Sequence, residues 1–286
     1  MKKELRVDYL IERGIEYGVH DGVKLPGDLY LPTSPGPHPI VVAIHGGGWQ
    51  IGERERYEYW GPYLATRGYA LFTIDYRLSA PGKKTFPEAV HDVRAAVQFM
   101  RSNAAKFKLD PERVALIGDS AGGHLAALVA LAGDAPIFAN GYPNDPYAKL
   151  STQAKCVVSM YGVHDMLGQW EHDCIHRVSD HITEKFLGTT PLDDPRLFFD
   201  ASPMAYVSRA RSKTAFLLAH GTEDDIVDRA TQWDRFLINL KRAGFYARAV
   251  VVQGAGHFWA SEPHDEPGSA AAFLAPRMVR FFQAKL

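Results

Sequence analysis

The chain has 286 residues, 46% of them hydrophobic and 23% charged, with a formal net charge of −1 at pH 7, and that length suits one large domain, 1–286, better than two small ones. Near-neutral charge gives no reason to expect a nucleic-acid partner or an anionic membrane surface, and no apolar run approaches the length that spans a bilayer. Two cysteines, Cys156 and Cys174, are too few for a disulfide framework and fit a reduced compartment.

In chain order, residues 1–12 carry two lysines with no apolar core behind them, which argues against a signal peptide and for a cytoplasmic location. Residues 14–17 and 25–31, joined by His20-Asp21-Gly22, predict an antiparallel hairpin. A Pro/Gly/Ser-rich connector then leads into the apolar run 40–44. Runs of this kind suit strands buried on both faces, and 70–74, 114–117, 156–160, 215–219 and 248–252 share the pattern. Between them, Pro87 is placed in the first turn of a helix with Val90, Val93, Val97 and Met100 on one face. Ile226, Ala230, Trp233, Leu237 and Leu240 predict another, capped by Gly244, and Pro276 is expected to start or kink the last. Strands alternating with helices imply a mainly parallel sheet. Two segments break the rhythm: 133–150 predicts a long loop, and 164–208 is too long for an ordinary connection and predicts a cap over a pocket.

The stretch Gly118-Asp119-Ser120-Ala121-Gly122 joins the strand at 114–117 to a helix-forming run. Such a turn presents one serine at a sharp bend, and that serine needs a base, an acid behind the base and donors for an oxyanion. His45-Gly46-Gly47-Gly48-Trp49 follows a buried strand, and three glycines there let backbone N–H groups approach a substrate oxygen; Gly47, Gly48 and Ala121 are the expected donors. The acid is expected in His220-Gly221-Thr222-Glu223-Asp224-Asp225. Asp224 and Asp225 both qualify by position; Asp224 is preferred because Asp225 is placed to begin the next helix. Asp165 is a more distant alternative. The expected base is His257, flanked by Gly256 and Phe258, with His264 as competitor. His172, Cys174 and His176 read as a polar surface or pocket rim, since no second cluster completes a metal site. Trp49, Tyr161 and Phe258 are the candidate substrate-binding residues, on position alone.

On His45-Gly46-Gly47-Gly48-Trp49, Asp75-Tyr76-Arg77-Leu78, Gly118-Asp119-Ser120-Ala121-Gly122-Gly123 and His220-Gly221-Thr222-Glu223-Asp224, the chain resembles the serine carboxylesterases of the α/β-hydrolase superfamily. It is similar to the hormone-sensitive-lipase-like branch and to the bacterial feruloyl-esterase-like group, from about residue 15 to the C-terminus. The resemblance implies an α/β-hydrolase fold, with a mostly parallel eight-stranded sheet flanked by helices and a cap at about 164–208. It implies hydrolysis of small to medium carboxylic esters through an acyl-enzyme on Ser120, with Asp224 and His257 completing the triad and no metal or organic cofactor. An amidase, arylformamidase or peptidase using the same triad is the alternative, and a non-catalytic ligand-binding homologue the third reading. An exposed edge strand or the last helix could support a homodimer.

Overall fold

The computed structural model describes residues 2–5 and 8–286. Among the described residues, nine strands form one sheet: β1 (Lys2–Leu5), β2 (Tyr9–His20), β3 (Val23–Pro32), β4 (His38–Ile44), β5 (Ala70–Ile74), β6 (Leu109–Asp119), β7 (Cys156–Met160), β8 (Ala215–Gly221) and β9 (Ala247–Val252). Their order is β1-β2-β3-β5-β4-β6-β7-β8-β9. β1, β2, β3 and β5 pair antiparallel in turn, and β4 through β9 run parallel to one another. Eight of them make the expected sheet, and β1 adds a ninth at the antiparallel edge. Asp21 and Gly22 both have positive φ (52° and 76°), the conformation that a two-residue hairpin turn requires between paired His20 and Val23.

The helices are α1 (Trp60–Ala65), α2 (Glu88–Ser102), α3 (Ala104–Phe107), α4 (Ala121–Ala132), α5 (Pro136–Ala139), α6 (Met166–His176), α7 (Ile182–Leu187), α8 (Pro195–Asp200), α9 (Arg235–Arg242) and α10 (Ala270–Lys285). Two apolar clusters cover the two faces of the sheet. One packs Val90, Val93, Val97 and Met100 of α2 with Leu125 and Leu128 of α4; the other packs Leu274, Met278 and Phe282 of α10 with Trp60 and Leu64 of α1. The strands between are buried on both sides, which is why they read as unbroken apolar runs.

Three expectations about elements are corrected. Pro276 does not start the last helix. Ser269 caps it instead, its side chain accepting from Ala272 N, and Pro276 sits inside α10 on the exposed face. The buried stripe of α10 outweighs the one backbone hydrogen bond that proline removes. The helix expected from Ile226 begins later, as a π-turn at Arg229–Asp234 followed by α9, because the amides of Ile226 and Val227 are taken by the Asp224 carboxylate. The loop at 133–150 contains the short helix α5.

Registry decides where the chemistry gathers. Ile44 lies beside Gly118, Asp119 beside Met160, and Met160 beside Ala219. The residues that follow β4, β6, β7 and β8 therefore emerge along one edge. β4 lies between β5 and β6, the point where strand order reverses and where open parallel sheets form a crevice.

Candidate active site

Ser120 follows β6 with φ 51° and ψ −118°, outside the relaxed regions for a side-chain-bearing residue. Its N–H donates to Met160 O at 2.9 Å, which holds the bend, and α4 starts at the next residue. Gly122 is required here: a Cβ on it would lie 1.9 Å from Ile44 O. The serine Oγ lies 2.9 Å from His257 Nε2, and His257 Nδ1 lies 2.7 Å from Asp224 Oδ2. The other oxygen of Asp224 accepts from the amides of Ile226 and Val227, each at 3.0 Å. Burial alone would raise the pKa of Asp224, but the hydrogen bond and charge of His257 and the Val227 amide outweigh it, and the carboxyl titrates below its ordinary value.

Asp225 takes a different part. Its carbonyl accepts from His172 Nε2 at 2.9 Å, and the side chain that caps the following turn is Asp228, bonded to Thr231 N. The helix-capping reason for setting Asp225 aside therefore belongs to Asp228. Gln169 of α6 also donates to Ile226 O at 2.9 Å, so α6 braces the loop that carries Asp224. Among the described residues, no group of three or more His, Cys, Asp or Glu is arranged to hold a metal. His164 and His264 lie elsewhere: His164 bonds Ser159 Oγ, and His264 packs edge-on against Trp60 and Tyr63.

Residues 45–49 leave β4 beside the serine. Gly47 (φ 120°) could carry no side chain, since a Cβ would meet Ile51 O at 2.0 Å, and its own carbonyl accepts from Gln50 N and Ile51 N. Among the described residues, none accepts from the amides of Gly47, Gly48 or Ala121, which leaves those donors available. The loop is fixed at both sides. Gly46 N donates to Asp119 Oδ1 at 3.0 Å, Tyr76 OH donates to His45 O at 2.9 Å, and Ser79 N donates to Trp49 O at 2.8 Å.

The three aromatic candidates have different surroundings. Trp49 is wholly buried, stacked on Phe186 of α7 at 4.6 Å, with Nε1–H donating to His124 Nδ1 at 3.2 Å. His124 donates its Nε2–H to Ala201 O at 2.8 Å, and burial pushes its pKa down to about 4, so it is neutral and structural. Tyr161 is also buried, with its ring 4.4 Å from the His257 ring and its hydroxyl accepting from Ala260 N at 2.9 Å. Phe258 alone is exposed, at 55%, with its ring edge-on to His257 at 4.6 Å.

Two side chains enter that sequence reasoning passed over. Asp119 is buried beside Ser120; its Oδ1 also accepts from Tyr57 OH at 3.1 Å, and burial pushes its pKa up. It lay inside the G-D-S-A-G turn, so its position was visible, while its partner Tyr57 sits on a short 3₁₀ turn with no periodic pattern to announce it.

A family model described as BD-FAE matches residues 27–234. The chain belongs to the BD-FAE family. This BD-FAE chain is 32% identical over 233 residues to esterase LipC of Mycobacterium tuberculosis, across 79% of its own length and 54% of the relative's. It is 30% identical over 210 residues to esterase LipQ of the same organism, across 72% and 46%. The chain spans about half the length of these curated relatives. Among solved structures, Thermogutta terrifontis esterase 2 has a TM-score of 0.76 at 24% identity, covering 96% of this chain and 94% of that one. A truncated carbohydrate esterase from gut microbiota has a TM-score of 0.77 at 22% identity, covering 99% of each. These structural likenesses are of the α/β-hydrolase fold.

Proposed function

We propose that this BD-FAE chain is a serine carboxylesterase hydrolysing small to medium carboxylic esters. The observation that carries the reading is the continuous chain Ser120 Oγ–His257–Asp224, at 2.9 and 2.7 Å, beside a loop with unused amide donors. The esterase names of its relatives support it. His257 takes the Ser120 proton as Oγ attacks the ester carbonyl, while Asp224 holds the imidazole tautomer and stabilises the imidazolium. The amides of Gly47, Gly48 and Ala121 receive the developing oxyanion, each well-placed donor lowering the barrier by about 3 to 4 kcal/mol. His257 then protonates the departing alkoxide, and water, deprotonated by the same imidazole, hydrolyses the acyl-enzyme. No step calls for a cofactor.

Residues 164–208 act as the cap in this reading. Phe186 and Ile182 of α7 rest on Trp49 and Gly48, so the segment bears directly on the oxyanion loop. The test is hydrolysis of p-nitrophenyl acetate by the wild-type chain and by Ser120→Ala. Wild-type turnover that falls by about 10⁶-fold in the variant is expected, the scale on which nucleophile removal acts in serine hydrolases. Full turnover in the variant would overturn the assignment.

A further inference from the structure

Phe258 occupies a place that its own chain does not explain. Its φ is 69°, in the left-handed region where glycine or asparagine is relaxed and an aromatic residue is strained. Its side chain is 55% exposed, although the loop that carries it also carries the buried Trp259. Neither backbone preference nor burial favours phenylalanine at this position. The ring nevertheless lies edge-on to His257, with centroids 4.6 Å apart. On the glycine loop, Ile51 is exposed directly beside Gly47.

Resting on the esterase reading, we infer that Phe258 forms the subsite for the alcohol part of the ester, and that the enzyme favours apolar, flat alcohols such as arylmethyl groups. The chemistry fixes which part of the ester meets it. When the tetrahedral intermediate collapses, the carbon–oxygen bond to the alcohol breaks and the proton held on His257 Nε2 passes to that oxygen. The leaving oxygen must therefore come within about 3 Å of Nε2. The first carbons of the alcohol then lie next to the imidazole, where the open part of the Phe258 ring is the apolar surface on hand. Glu223, exposed on the neighbouring loop and bonded through its N–H to Ala255 O, disfavours an anionic alcohol.

The test compares benzyl acetate with methyl acetate, whose alcohols are nearly equal in acidity and share one acyl group, in the wild type, Phe258→Ala and Phe258→Trp. The wild type is expected to prefer the benzyl ester in kcat/KM. That ratio is expected to fall about five- to tenfold in Phe258→Ala, the scale of losing part of an apolar contact, and to return in Phe258→Trp. An equal loss for both esters, with a shifted inflection in the pH profile of kcat/KM, would mean that Phe258 only positions His257 and would overturn the inference. Wild-type turnover of p-nitrophenyl acetate without a benzyl preference would overturn it alone. No turnover of any ester would overturn the esterase reading and this inference together.

Discussion

Asp224 and Asp225 are adjacent carboxylates in one loop, and geometry gives them opposite tasks. The Asp224 side chain is buried and accepts three hydrogen bonds, from His257, Ile226 and Val227, whereas Asp225 is exposed and engages α6 through its carbonyl. Asp224→Asn is expected to keep the fold and lower kcat by about 10⁴-fold, since an amide no longer fixes the productive imidazole tautomer. Asp225→Asn is expected to stay within a few-fold of wild type, because the carbonyl that meets His172 is retained. Steady-state kinetics on one activated ester checks both, and equal losses would sink the distinction. Ser120 and His257 could be named from sequence because each follows a strand inside a glycine-flanked turn, a local pattern. The true cap residue of the next turn, Asp228, could not, because the helix boundary moved when Asp224 captured two amides.

Elements show the same division. The parallel strands were readable because burial on both faces leaves an unbroken apolar run, and α2 because its buried stripe repeats at helical spacing. α10 shows where local rules yield. Pro276 is a strong local stop signal, yet the helix runs through it because Leu274, Met278 and Phe282 must reach the sheet. Since Pro276 is exposed, alanine fits there without repacking and restores a backbone donor. Pro276→Ala is expected to stabilise the protein by about 1–3 kcal/mol, read from the urea midpoint at unchanged slope. A lower midpoint would show that the proline itself is needed.

At the scale of the whole molecule, one buried histidine ties the antiparallel edge to the rest. His20 of β2 lies 3.4 Å from Asp92 of α2 and 2.9 Å from Asp145 of the 133–150 loop, and it stacks on Tyr142 at 3.2 Å. Arg77 shares Asp92, with Nε and Nη2 at 2.9 and 3.0 Å from its two oxygens, and also pairs with Asp21. Burial pulls the His20 pKa down, but the hydrogen bonds and charges of Asp92 and Asp145 more than offset it, so the folded-state value is raised above the ordinary 6.5. The stabilising contribution is therefore complete below the unfolded pKa and is lost as pH rises through the folded one. Urea unfolding from pH 5.5 to 9 is expected to show a decline on the alkaline side that His20→Gln reduces. An identical pH dependence in the variant would refute this role.

Taken alone, the sequence determines the layered α/β architecture, the sharp turn at Ser120, the glycine loop at 45–48 and the strand ends from which an acid and a histidine can emerge. All of these rest on contacts between near neighbours or on the periodicity of burial. Tertiary structure decides which oxygen reaches His257, how Asp119 and Tyr57 pin the glycine loop at 45–48, why Trp49 is interior, and why Phe258 stays exposed beside the imidazole. Each of those depends on residues up to about two hundred positions apart, as in the Trp60–Ala260 bond that ties α1 to the histidine loop. Such distances carry no periodic signal, and only the assembled sheet brings the partners within hydrogen-bonding reach.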